Sequence, residues 1–293
     1  MKSHFIPISI LSLLLIILCT SCEELAVDSG SVFEAPSSEQ TPLVNNLNEN
    51  INGSNAHFSW EGNEFALQFS YQLEINSISG LNDPLQIIYQ TYNNWSDWST
   101  DHSTVFSKLD DGNYTFYVKS RFNENEEIEP HMSNSFEIDA ISGPALRIYP
   151  QNQTAQPGEE IDVYLFFEDV PGALAVTGLE VEIQINTDEL EFINEGFQYG
   201  DLITGFPGTT IYPDPSYSED GASLSIVGVA DDNGLGIYGT GSIAKVHLRV
   251  KDQVGTFQIL IYQEENAFQD INGDAHGFND PVSGTVTVEG VGQ

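Results

Sequence analysis

Asp270, Asn272 and Asp274 place oxygen-bearing side chains at alternate positions of one short segment, which is how a calcium-binding loop begins. A complete EF-hand loop also needs Gly at its sixth position and an acidic residue at its twelfth. Those two positions hold Ala275 and Pro281 in this sequence. The segment is therefore interpreted either as a partial Ca²⁺ site or as a hairpin turn, and no other cofactor is predicted.

A second candidate site is the tryptophan pair Trp95 and Trp98. The apolar faces of exposed indole rings stack on sugar rings, so this pair is a candidate platform for a polysaccharide. The alternative is that both rings pack in and around the core of a small sandwich, because Trp is usually largely buried. Both interpretations stay open at this point.

Catalytic motifs have little support in this sequence. No two of the six histidines have the close spacing of zinc ligands. The sequence lacks Gly-x-Ser-x-Gly, P-loop and dinucleotide-binding patterns. Paired carboxylates are uninformative among 44 acidic residues, so a glycan hydrolase is kept only as a remote alternative. We expect a protein that is not an enzyme.

Charge and cysteine content narrow the classes of partner. Eight Lys and Arg residues face 44 Asp and Glu residues, a formal net charge of −36. Such a surface repels phosphate backbones, so we expect no nucleic-acid partner. Both cysteines, Cys19 and Cys22, lie near the N-terminus. The folded part therefore has no disulfide, thiolate metal site or cysteine nucleophile.

Residues 1–21 have the features of an export signal, with a positively charged start and an apolar stretch too short for a confident membrane span. The end of this segment resembles a bacterial lipobox, although Cys19 stands where Leu is usual. That resemblance implies a lipid on Cys22 and anchoring in the outer membrane, and the alternative is an ordinary secretory signal. Glu23 and Glu24 resemble the acidic signal that directs lipoproteins of the Bacteroidota to the cell surface.

The elements that must position these residues are β-strands. Apolar and polar residues alternate with period two, most clearly in 179–186 and 244–251, and turn clusters of Gly, Pro and Asn separate the strands. Residues 22–55 are rich in Ser, Asn, Glu and Pro, which predicts a flexible tether. The fold class predicted is all-β, with two antiparallel β-sandwiches divided near 139–144.

The first domain, residues 56–139, is predicted to be a seven-stranded sandwich. Leu109, Gly112, Tyr114 and Phe116 form a turn into a strand, where the tyrosine hydroxyl can bond back to the upstream backbone. The pattern resembles fibronectin type III modules and other Ig-like sandwiches.

The second domain, residues 142–289, shows a longer ordered series of short motifs. They are, in order, Pro157-Gly158-Glu159, Val170-Pro171-Gly172, Gly178 to Ile183, Asn186 to Phe192, Gly200 to Ile203, Ile211 to Asp214, Ser225-Ile226-Val227, Ala230 to Gly234, Gly241 to Val246, Asn266-Ala267-Phe268 and Gly284 to Val288. This series resembles a cohesin, the jelly-roll module that binds dockerins in cellulosome scaffolds.

The resemblance to cohesins implies a protein partner of dockerin type, bound on one sheet face. Carried over by position, the contacting residues are Glu180, Thr210, Tyr212, Asp231 and Gly234. The alternative for Glu180 and Asp231 is that they are merely the solvent faces of alternating strands. The expected function is a surface lipoprotein that captures a partner in polysaccharide catabolism or adhesion. A carbohydrate-binding lipoprotein that uses Trp95, Trp98 and Tyr212 is the alternative.

Overall fold

The computed structural model describes residues 41–81, 94–122, 132–193, 196–204, 214–229, 236–262 and 266–290. The predicted signal segment, Cys22 and the first part of the tether lie outside the described residues. Residues Pro42–Gln293 form one compact unit that contains two β-sandwiches. The all-β prediction is therefore confirmed for the part of the chain that is described.

The first sandwich has six strands in the described ranges. These are β1 (Val44–Asn52), β2 (Asn55–Gly62), β3 (Gln68–Ile78), β4 (Ser103–Phe106), β5 (Gly112–Arg121) and β6 (Met132–Ile138). One sheet has the order β1-β2-β4 and the other has the order β3-β5-β6, and all pairs are antiparallel. The likeness of this sandwich to fibronectin type III modules stays a prediction.

Strand β1 lies within residues 22–55, the predicted tether, so the tether is shorter than the sequence predicts. Its backbone pairs with β2 from Val44↔Gly62 to Asn52↔Asn55, across a turn in which Gly53 has φ of 57°. Asn is depleted in strands, so this Asn-rich segment looked like a linker in the sequence. The pairing with β2 and the burial of Val44 override that low local propensity.

The core of the first sandwich is largely aromatic. Phe58 and Phe116 stack with ring centroids 4.0 Å apart, and Trp60 lies beside Phe116 at 5.9 Å. The hydroxyl of Tyr114 donates a hydrogen bond of 2.6 Å to the carbonyl oxygen of Asp110. This is the tyrosine corner that the spacing of residues 109–116 predicts, and it ties the loop before β5 to the core.

Replacing Tyr114 with Phe should lower the free energy of unfolding by about 1 kcal/mol. The change keeps the ring and removes one buried hydrogen bond, which leaves the Asp110 carbonyl without that donor. Denaturant titration measures the effect. Tyr117→Phe is the control, because that hydroxyl bonds to exposed Glu74 at the surface, and we expect little change there. Equal losses in the two variants would contradict the role given to the corner.

The second sandwich contains thirteen strands in the described residues. They are β7 (Ala145–Tyr149), β8 (Asn152–Ala155), β9 (Glu160–Val170), β10 (Val176–Ile185), β11 (Leu190–Phe192), β12 (Gln198–Tyr199), β13 (Asp214–Tyr217), β14 (Ser223–Val229), β15 (Gly239–Val250), β16 (Gly255–Ile261), β17 (Ala267–Asp270), β18 (Ala275–Gly277) and β19 (Gly284–Val288). A 3₁₀ turn (Gly172–Leu174) and a short helix α1 (Asp201–Thr204) interrupt them.

These strands form two sheets that we call front and back. The front sheet has the order β13-β14-β10-β16-β19-β8, with the β17–β18 hairpin beside β10. The back sheet has the order β11-β15-β9-β7, with β12 beside β15. The alternation predicted for 179–186 is present, since Val181, Ile183 and Ile185 are buried between the sheets. Polar residues of the same strand therefore point away from the core.

One pair departs from the predicted antiparallel arrangement. Strand β8 runs parallel to β19, from Asn152↔Thr285 to Ala155↔Val288. The chain leaves the back sheet after β7 and enters the front sheet at β8 without reversing into a hairpin. Because β8 pairs with the last strand of the domain, its direction is not set by a short turn, as it would be in a hairpin.

The two sandwiches meet on the outer face of the back sheet. Tyr149, Tyr164 and Phe166 point outward from β7 and β9, yet all three are buried in the same hydrophobic cluster as the aromatic core of the first sandwich. Segment 139–144, where the domain boundary was predicted, connects β6 to β7. The first sandwich thus covers one half of the back sheet, and we call this contact the joint.

Candidate functional site

The candidate site is the outer face of the front sheet, centred on β10. Glu180, Glu182 and Gln184 alternate with the buried residues of this strand. The register of the sheet places Glu180 between Val227 of β14 and Ala267 of β17. Three successive outward positions on the central strand are therefore acidic or amide side chains.

Neighbouring strands extend this face with small polar and apolar side chains. Glu182 lies opposite Ser225 of β14, and Gln184 lies between Ser223 and Leu260. Val227 is 45% exposed, which is high for an apolar residue in the middle of a sheet. Tyr262, one residue beyond β16, is also 45% exposed. The face thus combines hydrogen-bonding groups with a few exposed apolar side chains, a mixture typical of protein interfaces.

The centre of this face is acidic. None of the eight strands of the front sheet contains Lys or Arg, and β10 places Glu180 and Glu182 on its outward side. The carboxylates of Glu180 and Glu182 lie on adjacent outward positions of β10. A partner with basic side chains would therefore be attracted to this face, and an acidic partner would be repelled.

The open part of the back sheet has the opposite organisation. Lys245, His247 and Arg249 point outward from β15 and meet carboxylates of β9. Lys245 Nζ lies 2.7 Å from Asp162 Oδ2, and Arg249 Nη2 donates to Glu160 Oε1 at 2.6 Å. These cations are neutralised within the sheet, so this surface has little net charge to offer a partner.

His247 lies between the two carboxylates of that network. Its Nδ1 is 2.7 Å from Asp162 Oδ1, and its Nε2 is 3.2 Å from Glu160 Oε2. The hydrogen bond to Asp162 is the main cause that raises the pKa of His247, and Glu160 adds to it against a smaller effect of burial. Both ring nitrogens are engaged, so this histidine belongs to the ion-pair network of the surface.

Of the five predicted contact residues, the structure describes Glu180, which is exposed at the centre of the face. Thr210 and Tyr212 precede β13, and Asp231 and Gly234 follow β14, all outside the described residues. Glu182, Gln184, Ser225 and Val227 share this face and are not among the residues predicted from the sequence. Period-two alternation from Glu180 marks the first two, but only the strand register shows that the others lie beside them.

The tryptophan pair lies in a segment that runs beside β3 without regular structure of its own. The N–H of Ser96 donates to the carbonyl of Tyr71 at 2.8 Å, and the N–H of Ser99 donates to the carbonyl of Phe69 at 3.0 Å. Ser96 Oγ also accepts from the N–H of Tyr71 at 3.1 Å. The segment is thus attached to the edge of the first sandwich through its serines.

Cations of β5 lie over both indole rings. Lys119 Nζ is 4.0 Å from the ring centroid of Trp95, and the Arg121 guanidinium is 4.4 Å from that of Trp98. Both rings are half-buried. One face of each ring therefore makes a cation–π contact within the protein, which favours a packing role. The carbohydrate platform stays a prediction.

The predicted calcium segment forms the turn between β17 and β18. Asp270 Oδ1 accepts from the backbone N–H of Asn272 at 2.7 Å and of Asp274 at 3.0 Å, while His276 Nε2 lies 3.0 Å from Oδ2. Although burial of Asp270 tends to raise its pKa, hydrogen bonds, first from His276 and then from the turn N–H groups, lower that pKa to about 2. The segment forms a hairpin turn with Asp270 as its internal acceptor, and calcium binding there stays a prediction.

Three further observations on the described part of the chain concern metal binding, membrane spans and a surface recess. No group of three His, Cys, Asp or Glu side chains there is placed to hold a metal ion. No helix there is long and apolar enough to cross a membrane. A recess of about 450 Å³ is lined by Ala140, Ile141, Ser142, Asn279, Asp280 and Val282. Among these lining residues only Asp280 is titratable, so no acid–base pair converges in that recess.

Comparison with known proteins finds solved structures with partial similarity. No family model matches the sequence, and no curated protein matches it. A type I cohesin, the seventh of ScaB from Pseudobacteroides cellulosolvens, is 19% identical with a TM-score of 0.42, covering 51% of this chain and 94% of that chain. A non-cellulosomal cohesin from Archaeoglobus fulgidus is 20% identical with a TM-score of 0.38, covering 50% and 90% respectively.

A third similar structure is a cohesin solved in complex with a dockerin. It is the Coh-OlpC–Doc435 complex from Clostridium thermocellum, with 17% identity, a TM-score of 0.40, and coverage of 52% of this chain and 99% of the other. The architecture of the second sandwich is defined by its own strand order and register, independently of these similarities.

Proposed function

We propose that this chain is a non-enzymatic binding protein whose front sheet face takes a protein partner that carries basic side chains. The observation that carries the proposal is the open face around Glu180, which lies opposite exposed Val227 and shares the outward side of β10 with Glu182 and Gln184. Within the described strands of that sheet, no Lys or Arg balances the two glutamates.

The other faces of the second sandwich support this choice. Half of the back sheet is covered by the first sandwich at the joint, where Tyr164 and Phe166 are buried. The remaining half is an internally paired network around Asp162 and Glu160. The front sheet is therefore the large sheet face of this domain that has both exposure and unbalanced charge.

The identity of the partner and the cellular setting are parts of the same proposal. The cohesin-like motif series in the sequence favours a partner of dockerin type. Lipidation of Cys22 would anchor the chain to the outer membrane, with Glu23 and Glu24 as a signal for the cell surface. In that setting the protein would hold glycan-degrading enzymes or adhesive proteins at the surface.

The proposal is tested with purified dockerin modules and this protein in biolayer interferometry. We expect Glu180→Arg to weaken binding by about tenfold or more, because the new charge would face basic groups of the partner. Affinity of the unaltered protein should fall as salt is raised from low to physiological concentration.

The matched control is Glu219→Arg, which makes the same charge change in the exposed turn between β13 and β14. Its binding should equal that of the unaltered protein. Binding that is unchanged in Glu180→Arg, or equally weakened in both variants, would place the contact elsewhere. The absence of binding to any dockerin module would reject the dockerin-type partner.

A further inference from the structure

The joint between the two sandwiches contains a fully buried arginine with an excess of carboxylates around it. Arg147 of β7 is 0% exposed, and its Nε donates to Glu168 of β9. Its Nη1 lies 3.5 Å from Asp110 Oδ1, in the loop before β5 of the first sandwich. Its Nη2 donates to the carbonyl of Ser79 at 2.8 Å, also in the first sandwich. One guanidinium thus joins both sandwiches.

The remaining groups of the joint add negative charge. Asp111 is buried beside Asp110, and its carboxylate accepts from the N–H of Ala140 at 2.9 Å and of Ile141 at 3.1 Å. Lys108, in the same loop, donates instead to Thr285 Oγ1 at 2.8 Å. Three buried carboxylates therefore share one buried cation, while the exposed Asp139 adds further negative charge near Asp111.

A buried site with more acids than bases is stabilised by taking up a proton. Asp110 is the group best placed to hold it, because its contact with Arg147 is longer than that of Glu168, and it also accepts a hydrogen bond of 3.1 Å from the backbone N–H of Gln151. Burial raises the pKa of Asp110 to about 7, in spite of the opposing effect of Arg147. Burial also raises the pKa of Glu168 and of Asp111.

We propose that the joint is a proton-linked latch: closure of the first sandwich onto the back sheet holds a proton at Asp110, and loss of that proton towards neutral pH loosens the joint. The latch would change how freely the first sandwich moves relative to the binding face of the second. This inference does not depend on which partner the front sheet takes.

The direction of the pH effect on joint opening, and the pH range over which it occurs, follow from the pKa of Asp110 in the closed and opened states. Its pKa is about 7 in the closed joint and 3.8 when it is exposed. Below 3.8 both states carry the proton, and the joint has its full stability. Between 3.8 and 7 the opened state releases the proton, so the opening constant rises about tenfold per pH unit. Above pH 7 Asp110 is ionised in both states, and the opening constant no longer changes with pH.

Amide hydrogen exchange on the whole protein tests the latch between pH 4 and pH 9, after correction for intrinsic exchange. The amides of Ala140, Ile141 and Gln151 report the joint, because they donate to Asp111 and Asp110. We expect their opening constant to rise about fiftyfold from pH 5 to pH 7 and to level off at about a hundredfold above its value at pH 5. Amides of central β10 report global unfolding, and they should not follow this curve.

Asp110→Asn is the decisive variant, since it keeps the shape and removes the titration. The joint amides should then lose the rise in opening constant that continues to pH 7 and keep only the dependence at lower pH that comes from Glu168 and Asp111, while Asp220→Asn, in an exposed turn, should behave like the unaltered protein. The latch would be overturned if Asp110→Asn kept the pH dependence of the opening constant seen in the unaltered protein. It would also be overturned if the opening constants of the joint amides changed with pH in the same way as those of the β10 amides.

Glu168→Gln provides a second test that remains available if Asp110→Asn does not fold. It leaves Asp110 as the nearest carboxylate to Arg147 with less competing negative charge, so the pH at which the curve levels off should fall by about one unit. A curve that levels off at the same pH as in the unaltered protein would also reject the proposal.

Discussion

Replacing Arg147 with Ala should lower the free energy of unfolding by about 3–5 kcal/mol, since removing one partner of a buried ion pair leaves the other uncompensated. Arg147 is 0% exposed, and its loss would leave Glu168 and Asp110 without a cation inside the joint. It would also remove the guanidinium that lies 4.2 Å from the ring centroid of Phe166. Guanidinium chloride unfolding at pH 7 measures the loss through a lower midpoint.

Arg249→Ala is the matched control for that experiment. Arg249 also pairs with a carboxylate, Glu160, but both side chains are exposed. Exposed pairs contribute roughly 0–1 kcal/mol, so the midpoint should move little. A double variant, Arg147→Met with Glu168→Leu, should recover part of the loss, because Glu168 leaves with its cation while Asp110 stays buried without one. Similar losses for the two arginine variants would contradict the buried role of Arg147.

Phe166→Ala should destabilise the protein by about 3–5 kcal/mol, the usual cost of deleting a large buried ring. Phe166 points outward from the back sheet, but the first sandwich buries it completely. Its ring contacts Tyr149 at a centroid distance of 5.7 Å, within the cluster that continues into the first sandwich. Thermal and denaturant unfolding should show a single lower transition for the whole unit.

Val227→Ala is the control for an outward residue on the opposite sheet. Val227 is 45% exposed, so its truncation should change the free energy of unfolding by about 0.5 kcal/mol or less. If Phe166→Ala cost no more than Val227→Ala, the two sandwiches would not be joined through the back sheet in solution.

Strand content was predictable from the sequence because alternation is a local signal. Residues 179–186 read as a half-buried strand, and β10 buries Val181 and Ile183 as that pattern requires. The corner hydrogen bond of Tyr114 was predictable for the same reason, since donor and acceptor are four residues apart. Strand β1 was missed because its pairing with β2, and not its Asn-rich composition, makes it a strand.

The candidate site was predictable only in part. Glu180 could be assigned to an outward position from its own strand, and the structure places it at the centre of the front face. Its neighbours Val227 and Ala267 come from segments about 50 and 90 residues further along the chain, and strand register alone brings them together. The cation–π contacts of Trp95 and Trp98 likewise depend on β5 being the neighbour of β3, the strand that this segment runs beside.

The all-β class, the alternating faces of the strands and the strong negative charge follow from residue type and from neighbours in the chain, so they can be read from the sequence alone. Which sheet face is open depends on where the first sandwich docks, and that requires the folded structure. Outward-pointing Tyr164, Phe166 and Arg147 look like surface residues from strand periodicity, and contact with a distant domain buries them. Burial by another domain leaves no periodic signal, because the two surfaces that meet are far apart in sequence.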